Sequence, residues 1–118
     1  MRILIVDDNV GVRRLLRHAV SEIAQEVREC SDGAEALAAY AAYRPDIVLM
    51  DIRMPRLDGL AATRFIRQFD ARARVVIVTD YDEEELRNAA REAGASGYAL
   101  KQNLPDLAGT IRAVLEGG

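Results

Sequence analysis

The sequence predicts an α/β fold in which a doubly wound, five-stranded parallel sheet is covered by helices on both faces. Short apolar runs without polar alternation occupy residues 3–6, 47–50 and 75–78, as in strands that are buried on both sides. The stretches between them carry apolar residues at three- and four-residue steps, as in amphipathic helices. Strand and helix alternate five times along the chain, which is typical of parallel sheets joined by helical crossovers.

Two further strands, predicted at residues 27–30 and 97–100, have the mixed polarity of sheet edges. If strands 1, 3 and 4 are central and strands 2 and 5 lie at the edges, the order is 2-1-3-4-5, a flavodoxin-like topology. The helices are predicted at about residues 10–24, 33–43, 59–69, 83–93 and 105–116.

Residues typical of helix ends support these boundaries. Asn9 precedes the first helix, and Asp32 and Asp82 are each followed three residues later by a glutamate, as in a capping box. Gly94 stands just beyond the fourth helix, where a left-handed residue is favoured. Pro105 falls in the first turn of the last helix, a position that tolerates proline.

Length and composition favour a single domain over residues 1–118. The net charge of -3 argues weakly against a nucleic-acid-binding surface within this segment. The single cysteine, Cys30, cannot form an internal disulfide, which suits a reducing compartment. The sequence contains no apolar run long enough to cross a membrane and no signal-peptide pattern, so we expect a cytoplasmic protein. The final VLEGG is compatible either with a natural end or with a cut from a longer chain.

Polar and charged side chains follow the predicted strands at their carboxyl ends. They are Asp7 and Asp8 after the first strand, Asp51 after the third, Thr79 at the end of the fourth and Lys101 after the fifth. In this topology the ends lie on one rim, where ligands bind. Three carboxylates at about 4 Å would repel by a few kcal/mol per pair, so either their pKa values rise or a cation neutralises them. Oxygen ligands alone suit Mg²⁺ or Mn²⁺.

The isolated carboxylate on this rim is the better candidate for a nucleophile. Asp7 and Asp8 are adjacent and would share the metal, whereas Asp51 stands alone before a turn stiffened by Pro55 and Asp58-Gly59. A metal and an ammonium beside such a carboxylate form a site suited to holding a phosphoryl group.

Four motifs in order, Asp7-Asp8, DIRMPRLDGL, VIVTD and GYALK, resemble the receiver domain of two-component response regulators, which has the chemotaxis-regulator fold. The resemblance spans essentially the whole chain. The segments DIRMPRLDGLAATRFIR and GASGYALK are most similar to the NarL/FixJ-type subfamily, whose members carry a helix-turn-helix DNA-binding domain after a linker. This implies an output domain beyond residue 118, with DNA bound only through it.

The resemblance also implies residue roles. Asp51 would accept a phosphoryl group from a sensor histidine kinase, and Thr79 and Lys101 would contact that group. The metal ligands for Mg²⁺ would be Asp8, Asp51 and the backbone carbonyl of Arg53, with Asp7 assisting through water. Tyr98 would rotate inward as Thr79 moves, and homodimerisation on phosphorylation is possible. Such a domain is a signalling switch that catalyses only its own aspartyl phosphorylation and dephosphorylation.

Other functions remain open. The domain could act alone as a phosphorelay or as a protein-binding switch. A Mg²⁺-dependent phosphohydrolase would usually place an acid two residues after the nucleophile, where this chain has Arg53. A flavin-mononucleotide carrier would need a Ser/Thr/Gly-rich first loop, and Asp7-Asp8 would repel its phosphate.

Two positions depart from the family pattern. Asp80 stands where a small residue is usual, so it either slows phosphorylation by repulsion or points away. Gln102 stands where many relatives have proline, so we expect a trans bond or a mobile loop after Lys101.

Overall fold

The computed structural model describes residues 1–117, and within this range five strands alternate with five helices. The last residue of the predicted domain, Gly118, lies outside the described residues. The strands are β1 Arg2–Val6, β2 Glu26–Cys30, β3 Ile47–Met50, β4 Val75–Thr79 and β5 Gly97–Leu100. The helices are α1 Val10–Ala19, α2 Gly33–Tyr43, α3 Gly59–Phe69, α4 Glu84–Ala93 and α5 Leu107–Gly117. A short 3₁₀ segment, Lys101–Asp106, joins β5 to α5.

The sheet has the predicted order β2-β1-β3-β4-β5, and every strand pair is parallel. The predicted doubly wound, flavodoxin-like architecture is therefore confirmed. The central strands β1, β3 and β4 are the three apolar runs, and nearly all of their residues are buried.

Two apolar layers cover the sheet, one on each face. Alternate strand residues such as Leu4 and Met50 pack with α2, α3 and α4, whereas their neighbours Ile5 and Leu49 pack with α1 and α5. Because both faces of the central strands are covered, their sequences show continuous apolar runs rather than alternation.

The first helix is shorter than predicted. It ends at Ala19, and a turn follows in which the amide groups of Ile23 and Ala24 both donate to the carbonyl of Val20. Val20 is buried and Ile23 packs against the same layer, so the turn continues the apolar spacing that predicted a helix to residue 24. The turn redirects the chain into β2, where the amide of Gln25 donates to the carbonyl of Met1.

The start of the last helix and the cap of the fourth were predicted wrongly, although the fourth helix itself lies where it was expected. The last α-helix begins at Leu107, and Pro105 lies in the preceding 3₁₀ segment. The residue before α4 is Glu83, which makes no side-chain cap, while Asp82 accepts a hydrogen bond from Arg87 at 2.6 Å. The arginine, five residues along the chain, competes for the carboxylate that was expected to cap the helix.

Three predicted helix ends are confirmed. Asn9 and Asp32 accept hydrogen bonds from the amides three residues ahead, at 3.0 Å in both cases. Gly94 ends α4 with a left-handed φ of 101°. Within residues 1–117, every helix is too short or too polar to traverse a lipid bilayer.

Candidate metal and phosphoryl site

Strand register brings the carboxyl ends of β1 and β3 into line. Val6 pairs with Met50, and the amide of Asp51 donates to the carbonyl of Val6 at 2.9 Å. The residues that follow this pair, Asp7 and Asp51, therefore emerge side by side from the sheet. Thr79 pairs with Leu100 at the end of β4, which places the start of the next loop, Lys101, on the same rim.

Three carboxylates converge at this rim, as the sequence predicted. Asp7 is fully buried, Asp51 is nearly so and Asp8 is exposed, and one oxygen from each lies within 4.8 Å of the others. The exposed acid opens the cluster to solvent, and the two buried acids form its inner side.

An ammonium group sits between the two buried acids. Lys101 Nζ lies 3.0 Å from Asp7 Oδ2 and 3.1 Å from Asp51 Oδ1. Burial opposes the charged form of Lys101, but Asp7 and Asp51 outweigh that cost and raise the pKa of the ammonium above its ordinary value. Lys101 therefore remains a cation at neutral pH.

The environment of Asp51 disfavours its charge. Burial is the main cause, and the negative charge of Asp7 adds to it, so that the pKa of Asp51 is raised to about 6 despite the nearby Lys101. One lysine thus leaves part of the negative charge of this cluster uncompensated.

The residues present fit a hard divalent cation. Asp7 Oδ1 accepts the amide of Asn9 at 2.9 Å, whereas Asp7 Oδ2 is buried without a well-aligned hydrogen-bond donor, even though Lys101 approaches it as an ion pair. Lys101 offsets only one of the three carboxylate charges, and buried charge is costly unless a counter-ion offsets it. Carboxylate oxygens are the ligands that Mg²⁺ prefers, and the exposed side leaves room for the waters it retains.

Thr79 and Tyr98 are joined through a residue that the sequence reasoning missed. The buried Thr79 hydroxyl accepts the amide of Tyr81 at 3.4 Å, and the half-buried Tyr98 hydroxyl donates to the carbonyl of Tyr81 at 2.6 Å. The guanidinium of Arg53 lies 4.6 Å from the centroid of the Tyr81 ring. An aromatic residue two positions after Thr79, within an otherwise acidic loop, was the available signal for this link.

The Asp58-Gly59 part of the turn after Asp51 differs from the prediction, whereas the role given to Pro55 stays a prediction. Asp58 caps α3 by accepting the amide of Ala61 at 2.9 Å, and Gly59 is the first residue of that helix. A Cβ at Gly59 would lie 1.7 Å from the carbonyl oxygen of Asp51. Close packing of backbone against backbone, rather than an Asp-Gly turn, therefore holds Asp51 in place.

The structure shows where Asp80 and Gln102, the two departures from the family pattern, are located. Asp80 is exposed and lies outside the cluster of Asp7, Asp8 and Asp51. The bond between Lys101 and Gln102 is trans, as is every peptide bond among the described residues, and it opens the 3₁₀ segment.

A parallel sheet of this order is typical of doubly wound α/β domains, which bind ligands at the carboxyl ends of their strands, where this chain has an acid cluster and a lysine. Residues 3–112 match the model of the response regulator receiver domain, and the chain belongs to that family. The resemblance drawn from the four motifs is thereby confirmed.

Two curated relatives illustrate the match. The chain is 42% identical over 100 residues to the chemotaxis protein CheY of Halobacterium salinarum, covering 85% of this chain and 83% of that protein. It is 40% identical over 116 residues to the response regulator MprA of Mycobacterium avium, covering 98% of this chain. The match spans 51% of MprA, about half of that relative's length.

Solved structures agree with the fold. A two-component response regulator of the LuxR family from Aurantimonas sp. SI85-9A1 superposes with a TM-score of 0.92 at 39% identity, covering 98% of this chain and 85% of that one. The receiver domain of the histidine kinase CKI1 from Arabidopsis thaliana, complexed with Mg²⁺ and BeF₃⁻, has a TM-score of 0.88 at 29% identity. That match covers 99% of this chain and 90% of the plant chain.

Proposed function

We propose that Asp51 accepts a phosphoryl group from the phosphohistidine of a sensor histidine kinase in a Mg²⁺-dependent reaction. The observation that carries this proposal is the setting of one buried carboxylate. Asp51 Oδ1 lies 3.1 Å from the Lys101 ammonium and belongs to a three-carboxylate cluster that suits a divalent cation. A nucleophile, a fixed positive charge and a metal site thus adjoin one another.

The ionised form of Asp51 is the reacting species. One carboxylate oxygen attacks phosphorus, the bond from phosphorus to the donor's imidazole nitrogen breaks, and the electron pair stays on that nitrogen. With a pKa of about 6, Asp51 is largely ionised at neutral pH. Lys101 then pairs with a phosphoryl oxygen, and the hydroxyl of Thr79 donates a hydrogen bond to another.

The metal ligands in this proposal are the carboxylates of Asp8 and Asp51 and the backbone carbonyl of Arg53, with Asp7 acting through water. Mg²⁺, or Mn²⁺ in its place, supplies positive charge that offsets the acids and the incoming phosphoryl oxygens. The structure of the plant receiver domain complexed with Mg²⁺ and BeF₃⁻ supports, by analogy, a Mg²⁺ site in this chain.

The proposed switch runs from Thr79 to Tyr98. A bound phosphoryl group adds about 1.5 to 2 negative charges and three acceptor oxygens, which draw the Thr79 hydroxyl toward them. Tyr81 contacts Thr79 through its amide and Tyr98 through its carbonyl, so a shift of Thr79 alters the partner of the Tyr98 hydroxyl. Tyr98 then rotates inward, and the surface formed by α4, β5 and α5 changes.

The proposed output is transcription, through a helix-turn-helix domain that follows the receiver domain in the full-length protein. The similarity to a LuxR-family regulator and the half-length match to MprA support this output. Phosphorylation-dependent homodimerisation would present two such domains to DNA. The alternative, a signalling domain that acts alone, is supported by the match to 83% of the length of the CheY of Halobacterium salinarum.

Phosphorylation of a single residue provides the test. Incubation with acetyl phosphate and Mg²⁺ should add one phosphoryl group to the wild type, and Asp51→Asn should abolish this addition because the amide is a poor nucleophile. Asp46→Asn is the matched control, since it changes an exposed acid at the other end of β3. Intact-protein mass spectrometry reads the result, and an undiminished phosphorylated peak in Asp51→Asn would refute the assignment.

A further inference from the structure

The loop from Asp51 to Asp58, which carries the proposed phosphoacceptor and the Arg53 carbonyl, is tied to the start of α2. Arg56 Nη2 donates to Asp32 Oδ2, and the same guanidinium nitrogen lies 3.7 Å from Glu35 Oε1. Asp32 is buried, and its other oxygen caps α2 by accepting the amide of Glu35 at 3.0 Å. One carboxylate thus holds both the helix end and the loop.

The backbone is closely fitted at the same place. Arg56 has a φ of 69°, a left-handed conformation that non-glycine residues rarely adopt, and the amide of Leu57 donates to the carbonyl of Pro55 at 2.8 Å. A Cβ at Gly33 would lie 2.0 Å from the carbonyl oxygen of Leu57, so the loop backbone rests directly on the α2 backbone. The ion pair stands beside this contact and opposes relaxation of the left-handed turn.

The other end of the loop is also fixed. The amide of Gly59 donates to the carbonyl of Ile52 at 2.7 Å, and this hydrogen bond closes the base of the loop next to Asp51. The segment between these two attachments contains Arg53, whose backbone carbonyl is a proposed metal ligand. If the Arg56 attachment is lost, the loop keeps the Gly59–Ile52 hydrogen bond, the contact on Gly33 and the apolar packing of Ile52, Met54 and Leu57. The polar tie between the loop and α2 is then gone.

We propose that the Arg56–Asp32 pair is a clamp that positions the loop after Asp51 for metal binding, with Arg56 as a positioning residue. This inference rests on the proposed function and deepens it. Groups that hold metal ligands in place typically alter metal affinity when they are removed, even though they do not touch the ion. Pairing with Arg56 also lowers the pKa of Asp32, so both partners are charged at neutral pH.

A purely electrostatic role and a positioning role of Arg56 predict opposite effects of Arg56→Gln on the affinity for Mg²⁺. Removal of a positive charge near an acidic site should tighten the binding of a divalent cation if only electrostatics matter. Loss of the clamp should instead weaken it, because the loop no longer presents its carbonyl in one place. Asp32→Asn removes a negative charge and also breaks the clamp, and both effects weaken Mg²⁺ binding. Arg56→Gln is therefore the variant that distinguishes the two roles.

The experiment measures the dissociation constant of Mg²⁺ alone by amide chemical shifts in NMR titrations of the full chain. We expect Arg56→Gln and Asp32→Asn each to raise the dissociation constant about tenfold. The double variant should bind no more weakly than the weaker of the two single variants, because the pair acts as a unit. Arg56→Lys, which keeps the charge, should restore part of the affinity.

Arg64→Gln is the matched control, because it removes the same charge from an exposed arginine of α3. It should leave the dissociation constant unchanged or slightly lower. Arg56→Gln retains the Asp32 cap and should fold, so it decides the question even if Asp32→Asn unfolds. Folded Arg56→Gln with unchanged or tighter Mg²⁺ binding overturns the clamp alone, whereas a wild type that binds no Mg²⁺ overturns the proposed function as well.

Discussion

Asp51 illustrates how the surroundings of one residue set both its chemistry and its cost to the fold. Burial and the charge of Asp7 raise its pKa to about 6, while Lys101 opposes the shift. A nearby cation would favour the ionised form of this buried carboxylate, whereas without the cation the buried charge destabilises the folded state. The environment of Asp51 therefore affects both the ionisation of its carboxyl group and the free energy of unfolding of the domain.

The stability cost of Asp51 should depend on pH. Between pH 3.8 and about 6 the folded chain holds the Asp51 proton while the unfolded chain has released it, so the free energy of unfolding falls as the pH rises through this interval. Without divalent metal at about pH 8, Asp51→Asn should be more stable than the wild type by on the order of 1–3 kcal/mol. Below pH 3.8 this advantage should disappear.

Urea unfolding followed by circular dichroism at the two pH values measures this difference. Glu92→Gln, which makes the same change of charge at an exposed site on α4, should follow the wild type. An Asp51→Asn advantage that is equal at both pH values would show that the raised pKa is not its source.

At the scale of elements, the site depends on how closely α3 approaches the end of β3. Gly59 begins α3 directly beneath the carbonyl of Asp51, and Thr63 in the same helix donates its hydroxyl to the carbonyl of Gly59 at 2.7 Å. This junction leaves no space for a side chain at residue 59, so the helix and the strand end form one packed unit.

Gly59→Ala should therefore destabilise the domain, although alanine is the better helix former. The added methyl would lie 1.7 Å from the Asp51 carbonyl oxygen, and overpacking of this kind costs about 1–3 kcal/mol or more. Gly109→Ala in α5 is the control, because a Cβ there meets no atom within 4 Å. It should stabilise by roughly 0.5–1 kcal/mol. Thermal unfolding of both variants would detect the opposite signs, and equal effects would contradict the packing argument.

At the scale of the whole molecule, the acids of two strands share one rim, so metal binding should stabilise the entire domain. A ligand that binds only the folded state adds about 2.7 kcal/mol at a concentration near 100 times its dissociation constant. We expect saturating Mg²⁺ to raise the unfolding temperature of the wild type by several degrees. Asp8→Asn should lose most of this increase because it removes a proposed ligand.

Asp80→Asn serves as the comparison, since Asp80 is exposed on the same rim but outside the cluster. It should keep nearly the full Mg²⁺ response in differential scanning calorimetry. An equal loss in both variants would indicate that the ion responds to the general negative charge of the rim and not to the cluster.

The sequence predicted much of this architecture because its signals are local and periodic. The run Ile47–Met50 is apolar at every position because both faces of β3 are covered, and Asp51 follows it at the strand end. Periodicity failed where a turn imitated a helix, as at Val20 and Ile23, and capping patterns failed where a more distant arginine competed for Asp82.

The sequence by itself determined the strand order, the rim of Asp7, Asp8, Asp51 and Lys101, and the family to which the chain belongs. Only the tertiary structure decided that Lys101 bridges two buried acids, that Tyr81 joins Thr79 to Tyr98, and that Arg56 reaches Asp32. The physical reason is the distance along the chain over which each signal acts. Burial of both sheet faces requires continuous apolar runs among residues that are adjacent in sequence. Contacts between loops from separate strands depend instead on how the helices and strands pack against one another.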